Sequence, residues 1–176
     1  MATIKLRALT KNDLEKTFYW HNLEDIRDFY SGHPFPVNKE MEEKWYEKIL
    51  YSNIPVTVFG IEIVEEKKLI GITVLKDINL INSNAEFAIY IGDKDERGKG
   101  YSKYATFETL NYAFNKIGLQ RIFLKVLTEN VNAIKLYKQC HFVEEGILRN
   151  AVYKNGKFLN ELYMSILKEE FNKYWV

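Results

Sequence analysis

A chain of 176 residues, 47% apolar and 28% charged, has the size and make-up of one globular domain, taken here as residues 1–176. A net charge of +1 offers no basic stripe for nucleic acid, and no apolar run reaches the roughly 18 residues of a membrane span. The start, "MATIKLRAL", lacks a signal-peptide core and the single cysteine can form no intrachain disulfide, so a reducing, cytoplasmic home is expected.

"TIKLRAL" alternates like a strand. A helix is predicted over "TKNDLEKTFYWHN", with Thr10 and Asp13 spaced as a capping box, and a short helix over "LEDIRDFY". "SGHPFPVN" reads as loop, and "KEMEEKWYEKILY" as a helix capped by Asn38. Three strands follow, "VTVFGIEIVEE", "KLIGITVLKDI" and "AEFAIYIG", the first two joined by a turn at "EEKK". Next come a glycine loop, a helix "SKYATFETLNYAFNKI" ended by Gly118, a strand "RIFLKVL" and a helix "NVNAIKLYKQC". The tail "VEEGILRNAVYKNGKFLNELYMSIL" holds a hairpin turning at Asn155-Gly156. The order β-α-α-α-β-β-β-α-β-α-β-β predicts an α/β domain with antiparallel strands at both ends of one sheet. Aromatics crowd the first quarter, and most are expected in the core, with some lining an apolar cleft.

The loop Arg97-Gly98-Lys99-Gly100 matches neither G-x-x-x-x-G-K-[ST] nor G-x-G-x-x-G, which disfavours a simple nucleoside-triphosphate or nicotinamide site. It does feed a helix predicted to start near Ser102, whose first N–H groups lack partners and carry the positive end of the macrodipole. Glycines let an anion approach that backbone, and Arg97 and Lys99 add charge, an arrangement suited to pyrophosphate. On the later helix Asn130, Ile134 and Tyr137 fall near one face.

Together these stretches resemble the GNAT superfamily of acetyl-CoA-dependent N-acetyltransferases. The family loop Q/R-x-x-G-x-G/A corresponds to Arg97 through Ser102, and the later pattern N-x-x-A-x-x-L-Y-x-x-x-G-F to Asn130, Ala133, Leu136, Tyr137 and Phe142. The resemblance covers essentially the whole chain. It is greatest to the branch holding ribosomal-protein, spermidine and amino-sugar acetyltransferases, through "AEFAIYI" and "GKFLNELYMSIL". It implies a single GNAT-like domain, with a mixed, mostly antiparallel twisted sheet flanked by helices and strands splayed at the acetyl-CoA site. Two positions depart from the pattern. Ser102 replaces Gly or Ala and could cap the helix, and His141 replaces a Gly expected at positive φ.

By the same resemblance, the backbone of Ile89, Tyr90 and Ile91 pairs with the pantetheine arm, Arg97, Gly98, Lys99, Gly100, Tyr101 and Ser102 hold the pyrophosphate, and Asn130 and Lys135 lie along the ligand. The acceptor amine must be neutral to attack. With a pKa of about 10.4, only about one lysine-like amine in 10³ is neutral at pH 7. Glu86, beside the pantetheine strand, is the base expected, its alternative being a cross-strand ion pair. Tyr137 matches the family's general acid for the leaving thiolate and is otherwise a core aromatic. Cys140 and His141 are adjacent and diverge at a helix end, and the three histidines show no metal-ligand spacing, so no metal is expected.

The acceptor side is framed by residues 22–50 and 150–160. Polyamine-acetylating relatives carry a carboxylate pair where this chain has Gly32-His33, which disfavours that acceptor, although Glu24, Asp25 and Asp28 are near. Phe29, Tyr30, His33 and Phe35 suit an amino-sugar nucleotide or a peptide N-terminus equally. A homodimer is expected, since an exposed strand edge needs cover. A non-catalytic acetyl-CoA-binding regulator is the alternative. It would keep the loop and lose the acid–base residues, and both Tyr137 and Glu86 are present.

Overall fold

The computed structural model describes residues 3–29, 35–51 and 56–175, with only the backbone of Asp28 and Phe29. Tyr30, Gly32, His33 and Pro34, and the side chains of Asp28 and Phe29, lie outside the described residues.

Strand β1 (Ile4–Ala8) leads through a 3₁₀ turn at Lys11–Asp13 into α1 (Leu14–His21), α2 (Glu24–Phe29) and α3 (Lys39–Tyr51). The Thr10 N–H and hydroxyl both donate to Asp13 Oδ2, at 2.8 and 2.9 Å, which starts α1 where the capping signal predicts. Arg7 clamps this turn to the sheet, with bidentate bonds to Asp13 at 2.8 Å and a further bond to Glu62. Burial pushes the Asp13 carboxyl up, but the Arg7 guanidinium and the Thr10 bonds outweigh it and hold it below its ordinary value. Asn38 accepts from the Met41 N–H at 2.8 Å at the head of α3.

The antiparallel run β2 (Thr57–Ile63), β3 (Lys68–Asn79) and β4 (Asn84–Ile91) follows, then α4 (Tyr101–Asn111). A π-helical turn at Tyr112–Ile117 extends α4 and closes on Gly118, at φ 86. Next come β5 (Arg121–Leu127), α5 (Val131–Gln139), β6 (Val143–Lys154), β7 (Lys157–Leu167) and α6 (Lys168–Trp175). The seven strands lie in the order β1-β2-β3-β4-β5-β7-β6, antiparallel except for β4 against β5. Asn155 and Gly156, at φ 49 and 81, make the expected two-residue hairpin between β6 and β7. Sequence reasoning missed α6.

Both faces of the sheet are covered. On one, Trp20, Ile26 and Tyr46 of α1–α3 pack on Val58, Ile72 and Val74. On the other, Leu110 and Phe114 from α4 and its π turn, Tyr137 from α5 and Phe171 from α6 pack on Phe87, Ile122 and Met164. Strand alternation divides β4 between them: Ala88 and Tyr90 pack with the α1–α3 cluster, and Phe87 and Ile91 with the opposite face.

Candidate active site

The parallel ladder between β4 and β5 is short: Asn84, Ala85 and Glu86 pair with Arg121, Ile122 and Phe123, after which the strands part. The gap opens a cavity of about 830 Å³ that reaches both faces of the sheet. Its walls are Phe87 to Ile91 of β4, Lys125 and Val126 of β5, the loop before α4 and one side of α5. The splayed pair expected at the acetyl-CoA site is thus formed by chain geometry, because β4 stays bonded to β3 while β5 follows β7.

The loop supplies one end of the cavity. Gly98 and Gly100 stand at φ 75 and 84, the left-handed region that favours glycine, and a Cβ at Gly98 would meet open space. Gly100 is the residue before the helix, and α4 starts at Tyr101. Ser102 is therefore the second residue of α4 rather than its cap, and its carbonyl accepts from Thr106 Oγ1 at 2.7 Å. Arg97, Gly98, Gly100, Ser102 and Lys103 line the cavity here. The Arg97 guanidinium is also structural: it donates to the Ile91 carbonyl at 2.9 Å and pairs with Asp25 of α2.

Three sequence-predicted residues fall outside the cavity lining. Lys99 pairs with Glu96 at 2.8 Å, which raises its pKa. The Tyr101 side chain is buried with Ile4, Ile63 and Ile91. Lys135 is exposed on α5. Ile89, Tyr90, Ile91 and Asn130 all line it. Asn130 is the cap of α5, its side chain accepting from the Ala133 N–H at 3.2 Å.

Tyr137 and Glu86, expected as acid and base, both line the cavity and are both 7% exposed. Tyr137 projects from α5, its ring edge-on to Phe87 at 6.4 Å and tilted against Phe142. Glu86 stands at the point where the strands part. It bonds Lys76 of β3 at 3.0 Å, directly across the ladder, and lies 3.8 Å from Lys125 of β5. Both the site reading and the ion-pair reading of Glu86 therefore describe the same side chain. Cys140 and His141 do diverge: the thiol is buried and pushed up to about 11 by that burial, while the imidazole stacks on Tyr174.

Sequence reasoning missed a polar chain that runs from α3 through α1 to Tyr90 in the cavity wall. Glu42 of α3, 2% exposed, accepts from Thr17 Oγ1 and lies 2.8 Å from His21 Nδ1. His21 Nε2 is 3.1 Å from the Tyr90 hydroxyl. Glu42 sits among Glu40, Glu43 and Glu47, all exposed, and nothing in that run marks it as the buried one. Among the described residues no group of three or more His, Cys, Asp or Glu could hold a metal ion, and no helix is long and apolar enough to cross a membrane.

Comparison with known proteins places this geometry. The family model described as "Acetyltransferase (GNAT) domain" matches residues 3–143. The chain is 34% identical over 168 residues to spermidine N(1)-acetyltransferase of Vibrio cholerae serotype O1, covering 96% of this chain and 95% of that one. It is 30% identical over 114 residues to a putative ribosomal N-acetyltransferase of Bacillus subtilis, covering 64% of this chain and 62% of that one. The crystal structure of the Vibrio cholerae spermidine N-acetyltransferase in complex with CoA and spermine superposes with a TM-score of 0.90 at 32% identity, covering 96% and 98% of the two chains. A matched domain over most of the chain, a relative 34% identical over nearly its whole length and a matched fold make this protein an acetyl-CoA-dependent N-acetyltransferase of the GNAT family.

Proposed function

We propose that the chain acetylates a primary amine by direct transfer in a ternary complex, with the two substrates meeting through the gap between β4 and β5. The observation that carries this is a cavity at the gap between β4 and β5, with Tyr137 and Glu86 both in its lining. Acetyl-CoA supplies a thioester carbon open to attack by a neutral amine. The glycine loop and the first N–H groups of α4 hold the pyrophosphate, with Arg97 and Lys103 adding charge and Asn130 further along the wall. The parted backbone at Ile89–Ile91 holds the pantetheine arm. Tyr137 gives its phenolic proton to the departing sulfur, whose conjugate acid has a pKa of about 8.5. Glu86 takes a proton from the incoming amine, and Lys76 and Lys125 beside it disfavour a third ammonium there.

The relatives named for spermidine bring polyamines among the acceptors to be tried, with amino-sugar nucleotides and peptide amines. A polycation entering this cavity competes with internal partners, because Asp25 is paired with Arg97 and Glu86 with Lys76. The protein acts in the cytoplasm as a homodimer, a reading supported by the reduced, buried Cys140 and the exposed edge strand β6.

The decisive experiment is an amine screen with acetyl-CoA that reads released thiol, followed by Tyr137→Phe on the acceptor found. Turnover should fall by about 10²–10⁴-fold, the usual worth of a general acid, with acetyl-CoA affinity unchanged. Unaltered turnover in the variant would mean that Tyr137 only packs against Phe87 and Phe142.

A further inference from the structure

Alternation along β5 sorts its side chains between the two faces of the sheet. Leu124 and Val126 pack with Tyr137 and Phe142 on the side of α4 and α5. Lys125, between them, turns to the other face and toward Glu86. Its side chain lines the cavity and is 36% exposed, so it is open to a ligand there.

Among the described residues, the charges around Lys125 do not balance. Two carboxylates of the wall have partners of their own: Asp25 is paired with Arg97, and Glu129 with Lys157 at 3.2 Å. Glu86 is left with two cations. Lys76 Nζ lies 3.0 Å from Oε1, and Lys125 Nζ lies 3.8 Å from Oε2, beyond a hydrogen bond. Two ammonium groups thus share one carboxylate, and Lys125 has the weaker hold on it. Oε2 is the Glu86 oxygen not bonded to Lys76, and so the one that meets an incoming amine. Lys125 stands beside that oxygen. An amine whose other groups are cationic arrives next to a like charge. An amine that carries its own oxyanion brings a partner for Lys125.

Building on the proposed function, which puts the reacting amine at Glu86, we propose that Lys125 is an anion-recognition point and that the acceptor is a small amine bearing a carboxylate or a phosphate. One contact of roughly 2.8 Å at each end of the 3.8 Å between Lys125 and Glu86 places that oxyanion within about 9 Å of the reacting nitrogen. The oxyanion draws the Lys125 ammonium to itself and leaves Glu86 Oε2 to the amine. Lys76, directly across the ladder, keeps the carboxylate in place through Oε1.

Short amines of similar length test this, with coenzyme A bound and affinity read by calorimetry, so that the result does not depend on turnover. β-Alanine and aminoethyl phosphate carry the oxyanion, β-alaninamide is neutral at that end, and trimethylenediamine is cationic. Thiol release from acetyl-CoA is measured alongside. The parent should bind at least one oxyanion probe about tenfold more tightly than the amide, the worth of a charge-assisted hydrogen bond, and should bind the diamine most weakly. The tighter of the two oxyanion probes tells carboxylate from phosphate recognition. Lys125→Met should bring the ratio to within about threefold of unity, and Lys125→Arg should keep it. Lys125→Glu should reverse the order in favour of the diamine, which loss of packing alone would not do. A retained coenzyme A thermal shift shows that each variant is folded. Parent affinity for neither oxyanion probe above that for the amide, or a ratio that survives in Lys125→Met, overturns the proposal. Preferred binding of an oxyanion probe without thiol release would instead count against the transfer reading and leave the recognition point standing.

Discussion

At position 141 the family pattern has a glycine and this chain has a histidine, and the backbone is at φ 65. A non-glycine residue in the left-handed region costs on the order of 1–2 kcal/mol. The imidazole offsets part of that by stacking on Tyr174, with centroids 4.1 Å apart and planes at 10°, and by meeting the edge of Trp175. Those contacts fasten α6 to the end of α5, and an aromatic pair is worth about 0.5–1.5 kcal/mol. The two terms are of similar size and opposite sign. His141→Gly should thus leave chemical-denaturation stability within about 1 kcal/mol of the parent, since strain and stacking leave together. His141→Ala keeps the strain and loses the stack, and should be the less stable of the two variants. Equal stability of the Ala and Gly variants would show that neither backbone strain nor the Tyr174 contact matters at this position.

Element by element, the strands and helices that carry chemistry follow from local pattern, whereas their meeting does not. "AEFAIYI" alternates and "NVNAIKLY" has a capping asparagine, so β4 and α5 are legible, as is the glycine loop between β4 and α4. The parting of β4 from β5 depends on β5 staying with β7 over seven residues, Arg121 to Leu127, and no local signal encodes that long-range register. The α6 helix is hidden for a different reason. Leu167 passes from strand to helix with no glycine, proline or standard cap, and the Glu170 side chain instead reaches back to accept from the Leu167 N–H at 2.8 Å. Glu42 and His21 are invisible because their roles depend on which of several polar residues is buried. For the loop, sequence and structure agree on a consequence. A β-branched side chain at Gly100, φ 84, forces the turn out of the left-handed region just where α4 presents its first N–H groups. Gly100→Val should cost the fold about 1–2 kcal/mol while removing most of the thermal shift produced by acetyl-CoA. A full ligand-induced shift in that variant would place the pyrophosphate elsewhere.

For the molecule as a whole, the two ends of the sheet are unequal. At one end β1 is tied down by Arg7 to Asp13 and Glu62. At the other, β6 pairs only with β7 and is exposed along almost its whole length, including Val143, Ile147 and Leu148. Chains usually blunt such an edge with charge, proline or a bulge. Here β6 has two register shifts, between Glu144 and Gly146 and between Leu148 and Val152, yet it keeps apolar side chains turned to solvent. An apolar edge next to an exposed hairpin is the kind of surface a second copy covers, and a stable pair needs about 800 Å² from each partner. Light scattering at micromolar concentration should therefore give twice the 20.8 kDa chain mass. Ile147→Asp places a charge on the outer strand, with β5 and β7 between it and the β4–β5 gap, and should yield a monomer that still shows the acetyl-CoA thermal shift. A parent that scatters as a monomer would mean that β6 is left open in solution. An Ile147→Asp protein that remains a dimer would move the interface to another face of the molecule.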